Sequence, residues 1–446
     1  MNASYICGVF ASVRLASVLL VLTAAAASGQ SSQPAHVHQH DAGSDLFTSR
    51  EASGTAWVPE NTPMDGLHWK LGSWHLMLHG RLFLQVLHES GDRRRTGGFE
   101  DTQFSSANWA MLMARRPVGS ARVGLRAMLT AEPWTVANCG FINHLASGEM
   151  CQGDTIHDRQ HPHDTFMELA VDYDRPFHGS MRWQLYAGLA GEPALGPAGF
   201  PHRSSAAFNP IAPVTHHWLD STHVSFGVVT AALYGDRWKL ETSVFNGREP
   251  DERRTNIEFR RLDSVSARVA FAPNAHWALQ VSGALLTDAE QEFAPLPRSD
   301  VNRGTASASY HGSLGPGALA ATLAYGVNGG TEYIPGGSAF LITHGGLAEA
   351  SLTFSARHTL VGRVEAAGKP GHDLHVHEAP IRILPVGKTE LGYVRHLSPW
   401  RGLGQGIGAT LTANILPDAL APRYNGHVSW GIAAFFTIGP KTRINN

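Results

Sequence analysis

The chain has 446 residues, with 35 Lys and Arg against 37 Asp and Glu, a net charge of -2. That balance excludes nucleic acid as the main partner, because phosphate binding needs a basic excess. Only 16% of the residues are charged and 47 are glycine, which suits a wall with one face in lipid and the other in water.

The first element in chain order is a secretory signal over 1–29. Arg14 supplies the positive charge, the apolar run 15–22 continues through 23–27, and small residues precede a cleavage point before Gln30. A short buried helix is the alternative. Residues 30–70 read as a polar, flexible N-terminal arm. It carries His36, His38 and His40, a tract able to capture transition metals, or an incidental polar tail. No later stretch holds the roughly 18 unbroken apolar residues of a membrane helix.

From residue 71 to 446 the period becomes 2. Trp74, Leu76, Leu78, Leu82, Leu84 and Val86 share one parity, and His75, His79, Arg81 and Gln85 the other. The alternation recurs with Val123, Leu125, Ala127 and Leu129 opposite Arg122 and Arg126. It recurs with Met167, Leu169, Val171 and Tyr173 opposite Glu168 and Asp172, and with Trp277, Leu279 and Val281 opposite Gln280 and Ser282. It ends with Val428, Trp430, Ile432, Ala434 and Phe436 opposite Ser429 and Gly431.

About sixteen such segments are present, each near the ten residues that a tilted strand needs to cross hydrocarbon. Short connections fall near 117–121, 175–180, 234–237, 272–275 and 355–358. Long ones fall near 88–106, 132–164, 190–222, 246–262, 287–302, 328–342, 367–385 and 416–426. The expectation is an all-β, transmembrane antiparallel barrel with short periplasmic turns and long extracellular loops. Trp74, Trp109, Trp183, Trp238, Trp277 and Trp430 are expected at strand ends, at headgroup level. Inward Arg and Lys (Arg122, Arg126, Arg182, Lys239, Arg268, Arg363, Lys388) nearly balance inward acids (Glu168, Asp172, Glu241, Glu365, Glu390), so pairing across the lumen is the default.

Of three cysteines, Cys7 leaves with the signal. Cys139 and Cys151, in an oxidising compartment, are expected to form a disulfide; two free thiols are the alternative. The chain has 25 histidines, concentrated in three long loops. His157, His161, His163, His216, His217 and His223, with Asp220, are the candidate ligands for copper or zinc at the outer mouth. Histidines that only hydrogen-bond within folded loops are the plainer reading. There is no H-E-x-x-H, no G-x-S-x-G elbow, no P-loop and no dinucleotide fingerprint. Asp220, Ser221 and His223 are sequence neighbours, a poor geometry for a triad. No catalytic residue and no certain cofactor is expected.

The final segment, 428–436, resembles the C-terminal signal read by the barrel assembly machinery, although the chain runs on past Phe436. Together with the strand architecture over about 70–440, it makes the chain similar to the porin-like outer-membrane proteins of Gram-negative bacteria. The stretches 158–164 and 215–223 resemble an uncharacterised exported family associated with metal resistance. The resemblance implies an outer-membrane pore for passive diffusion of small hydrophilic solutes, in contact with outer-membrane lipid, with a homotrimer as the analogy. A metal-binding or hydrolytic barrel with a plugged lumen is the alternative.

Overall fold

The computed structural model describes residues 47, 50–90, 102–137, 139–291, 296–355 and 357–441. The expected signal and the His36, His38 and His40 tract lie outside them. The strands are β1 (Leu67–Leu71), β2 (Trp74–Glu89), β3 (Thr102–Val118), β4 (Ala121–Leu129), β5 (Phe141–Cys151), β6 (Asp154–Gln160), β7 (Phe166–His178), β8 (Met181–Gly191), β9 (Ser225–Tyr234) and β10 (Trp238–Phe245). They continue as β11 (Ser264–Phe271), β12 (Trp277–Glu290), β13 (Ser299–Leu314), β14 (Gly317–Ile334), β15 (Gly337–Ser355), β16 (His358–Pro370), β17 (Ile383–His396), β18 (Leu403–Ile415) and β19 (Val428–Pro440).

Sixteen of these, β2–β4 and β7–β19, close into one antiparallel barrel. β19 meets the upper part of β2, from Gly431 opposite Glu89 to Ile438 opposite Leu82. β1 covers the lower part of the same edge, from Leu67 opposite Leu78 to Leu71 opposite Trp74. β5 and β6 form a separate hairpin inserted between β4 and β7.

Alternation sets the two faces. In β2, Leu78, Leu84 and Val86 are exposed while Gln85 and Glu89 are buried inside. Leu125, Val171, Leu240, Val281, Leu391 and Ile432 extend the outward apolar belt around the barrel. A belt that size in water would aggregate, whereas in hydrocarbon it is the required surface. Every wall strand pairs on both edges, so the backbone polar groups are satisfied without water. This is the wall of a transmembrane barrel.

Four expectations change. Met167 does not share the outward face of Leu169 and Val171. The register slips between Met128–Glu168 and Leu129–Phe166, and this β-bulge turns Met167 inward, where it is 2% exposed. Trp109 lies in mid-strand opposite the inward Arg81, so it is a lumen residue and no part of a girdle. The long loop near 328–342 is instead a tight hairpin: β14 and β15 stay paired as far as Ile334 opposite Gly337. The glycines at 329 and 330 read as a loop, but a ladder paired on both sides tolerates them.

The fourth change concerns the arm, whose described part is not free. Residues 50–62 cross the barrel interior. Arg115 pairs with Glu51 at 2.6 Å, and Arg126 donates to the Gly54 carbonyl at 2.7 Å. From β10, farther round the wall, Lys239 donates to the Thr55 carbonyl at 2.7 Å. Unpaired wall charges would be costly to cover, and the arm's backbone carbonyls satisfy them.

Candidate functional site

The site is the lumen, and it has two chambers. The lower one opens at the short-turn end, which faces the periplasm in barrels of this type. Its volume is about 2900 Å³. Eleven Lys and Arg against four Asp and Glu line it, among them Arg81, Arg182, Arg237 and Arg395, so the vestibule is basic.

The upper chamber is filled by chain. The loop after β8, residues 192–224, crosses the lumen and is held by wall charges. Arg203 donates to Glu349 at 2.7 Å, Thr215 donates from its backbone and hydroxyl to Glu365 at 2.9 and 2.7 Å, and Arg363 donates to the Ile211 carbonyl at 2.8 Å. The same Arg363 pairs with Glu349 at 3.0 Å and Glu390 at 3.1 Å. The expected balance of inward charges is therefore realised, largely between neighbouring strands. Arg268, Arg363 and Lys388 are each less than 2% exposed, so at this height the wall is covered.

The loop's short helix α1 (His216–Leu219) carries Trp218, which lies against Gly326 and Gly345, partners across β14 and β15. A Cβ on Gly345 would sit 2.8 Å from the indole, so this close approach requires glycine. Around Trp218 a small apolar core forms inside the barrel from Leu145 of the hairpin, Leu374 and Val376 of the loop after β16, and Leu416, Leu420 and Tyr424 of the loop before β19. Three outer loops thus pack on the infolded one. The disulfide Cys139–Cys151 staples the hairpin loop, as expected, with Cα atoms 5.9 Å apart.

The structure divides the seven candidate ligands among separate places. His163, His216 and His223 gather around Phe200, with the His223 ring 5.1 Å from each of the other two. Their Nδ1 atoms donate to Glu132 at 2.8 Å, Asp220 Oδ1 at 2.9 Å and the Asp220 carbonyl at 2.6 Å respectively. Asp220 also pairs with Arg203 at 2.5 Å. Burial, with His163 and His216 adding to it, holds His223 well below the usual imidazole range. Burial opposes protonation of His163 too, but the Glu132 carboxylate outweighs it and the group is shifted up.

His157 lies elsewhere, against His375 at a ring separation of 4.0 Å. His161 donates to the Pro162 carbonyl at 2.7 Å. His217 touches the His216 ring edge-on, with centroids 5.7 Å apart, but its Nδ1 turns to other partners. It meets two residues the sequence did not single out, Glu249 at 3.2 Å and Glu290 at 3.9 Å. Among the described residues this is the one trio of His, Cys, Asp or Glu whose ligand atoms all lie within 4.8 Å of one another. Glu249 stands in the loop after β10 and Glu290 at the end of β12, and only folding brings them to His217.

No protein-family model and no curated protein matches the chain. Solved structures do resemble it. An anion-selective porin from Comamonas acidovorans shares 11% identity, with 82% of this chain and 99% of that one covered at a TM-score of 0.49. OmpF of Salmonella typhi, in complex with daunomycin, shares 10% over 84% and 100% at 0.48. DcaP, an outer membrane channel of Acinetobacter baumannii, shares 10% over 84% and 100% at 0.44. At this distance the likeness is one of general barrel form, and no solute carries over.

Proposed function

We propose that the chain is an outer-membrane channel for passive diffusion of small hydrophilic solutes, with no chemical step. The observation that supports this is the open vestibule of about 2900 Å³ inside a closed membrane barrel. Its basic lining favours anions, since a ring of one sign concentrates ions of the other. The infolded loop 192–224 sets the constriction and keeps conductance low. Planar-bilayer recording tests the reading. Stepwise conductance with a reversal potential on the chloride side is expected, and replacing 197–214 by a short Gly-Ser linker should raise the step size several-fold. A silent wild type together with a silent loop variant would sink the channel reading in favour of a sealed barrel.

We also infer that transition-metal contact at the outer mouth centres on His217 with Glu249 and Glu290. The ligand-atom spacing of that trio supports this, and the set is suited to Zn²⁺. Calorimetry with Zn²⁺ on the H217A variant tests it; unchanged binding would refute the assignment.

A further inference from the structure

The inner wall of a transmembrane barrel is normally polar. One sector here is not. Met77 of β2 faces Met113 of β3, His79 of β2 faces Met111 of β3, and Met111 faces Met128 of β4. The bulge in β7 adds Met167, and the arm adds Met64. Six of the chain's nine methionines therefore share one cluster, a concentration that simple gap-filling does not require. Each of these side chains carries a polarizable thioether sulfur into the sector.

Two imidazoles enter the same sector. His202, from the infolded loop, places Nε2 3.2 Å from the Met128 sulfur. The His79 ring lies 5.7 Å from the His202 ring, and both pack on Trp109. His79 Nε2 is buried and, among the described residues, has no hydrogen-bond partner, an arrangement that calls for a ligand. Beside the cluster, Arg115 and Arg126 face Glu51, Glu168 and Asp172. Met64 and His68 also line the vestibule, so the cluster borders the chamber that opens to the periplasm.

We propose that Met111, Met128, His79 and His202 bind a soft monovalent cation of the Cu⁺ or Ag⁺ type, with Met77 and Met113 as flanking thioethers. Thioether and neutral imidazole are the donor set that selects such an ion over Mg²⁺ or Ca²⁺, which take oxygen. The site is separate from the mouth trio, which offers two carboxylates and no sulfur. It is also independent of conduction, so a barrel silent in bilayers could still hold the ion.

The test uses the full-length protein refolded in detergent, with Ag⁺ in calorimetry and Cu⁺ in anaerobic competition with a chromogenic chelator. One ion per chain is expected, with sulfur and nitrogen in its first shell by X-ray absorption. The variant M111L/M128L keeps the packing volume and removes the two thioethers; its affinity should fall at least tenfold. M150L/M181L, changed outside the cluster, should bind as the parent does. Absence of Ag⁺ binding by the parent, a first shell without sulfur, or full affinity in M111L/M128L would each overturn the proposal. The sulfur-shell measurement on the parent decides the matter even if the double variant does not fold.

Discussion

The two halves of the lumen share one wall and one alternation, yet they differ in what lies on the inward face. In the lower half Arg81, Arg182 and Arg395 line an open basic chamber. In the upper half Arg268, Arg363 and Lys388 are less than 2% exposed, because loop 192–224 and its neighbours cover them. The strands are the same kind of strand in both. What differs is whether a chain segment supplies carbonyls and carboxylates close enough to replace the water that a charged group would otherwise need. A barrel lumen is thus open or filled according to its loops and arm, and the wall supplies the anchor points.

The largest expected effect comes from breaking the upper anchor. Arg363→Met leaves Glu349 and Glu390 buried without that cation and should cost about 3–5 kcal/mol. It would show as a lower temperature for loss of the folded band on semi-native gels. An unchanged melting temperature would mean that the upper half is held by apolar packing alone.

Removing the staple comes next. C139S/C151S should lose about 3 kcal/mol of loop-closure stabilisation, confined to the upper half. Limited proteolysis should cut the hairpin region faster while the turns of the lower half stay protected. Equal cutting at both ends would refute the division into two regions.

The arm sharpens the boundary between the chambers. Gly54 has φ +55°, and a Cβ there would lie 2.7 Å from Glu192. Gly54→Val should therefore unseat residues 50–62 at a cost of about 1–3 kcal/mol, exposing the arm to protease from the vestibule side. An arm still protected in that variant would show that its other contacts suffice.

The smallest effect is one of pH. Burial pushes the Glu192 carboxyl up to about 8 against the opposing pull of Arg268, and Ser53 of the arm donates to it. A folded-state value above the unfolded one means that the contribution is full below about pH 4.5 and is lost as pH rises through about 8. The protection factor of the arm amides, which removes the intrinsic pH dependence of exchange, should fall as pH rises from about 5 to about 8, and E192Q should flatten that dependence. A dependence of opposite sign would show that Glu192 is ionised in the fold.

Much of the barrel was legible in the sequence. The period-2 pattern of segments such as 74–86 and 428–436 identifies outward and inward faces, because side chains alternate along any strand. The pair Cys139 and Cys151 was legible for the same local reason, two thiols a short loop apart. Three kinds of feature were not. Met167 carries the right period for the outward face, but a one-residue bulge against β4 reverses it, and nothing in its own segment signals that. Trp109 looked like a girdle residue until its strand acquired a partner and a register. The histidine loops offered ligand types without distances, so His216 and His217 stood together on paper while the structure gives one to Asp220 and the other to Glu249 and Glu290.

By itself the sequence determined the wall: its strands, their parity and the apolar belt that demands lipid, since these depend only on local period and length. The tertiary structure alone decided the interior. Whether Arg363 meets water or Ile211, and whether Met128 meets solvent or Met111 and His202, depends on segments far apart in the chain. Long-range closure, and no local pattern, brings them face to face.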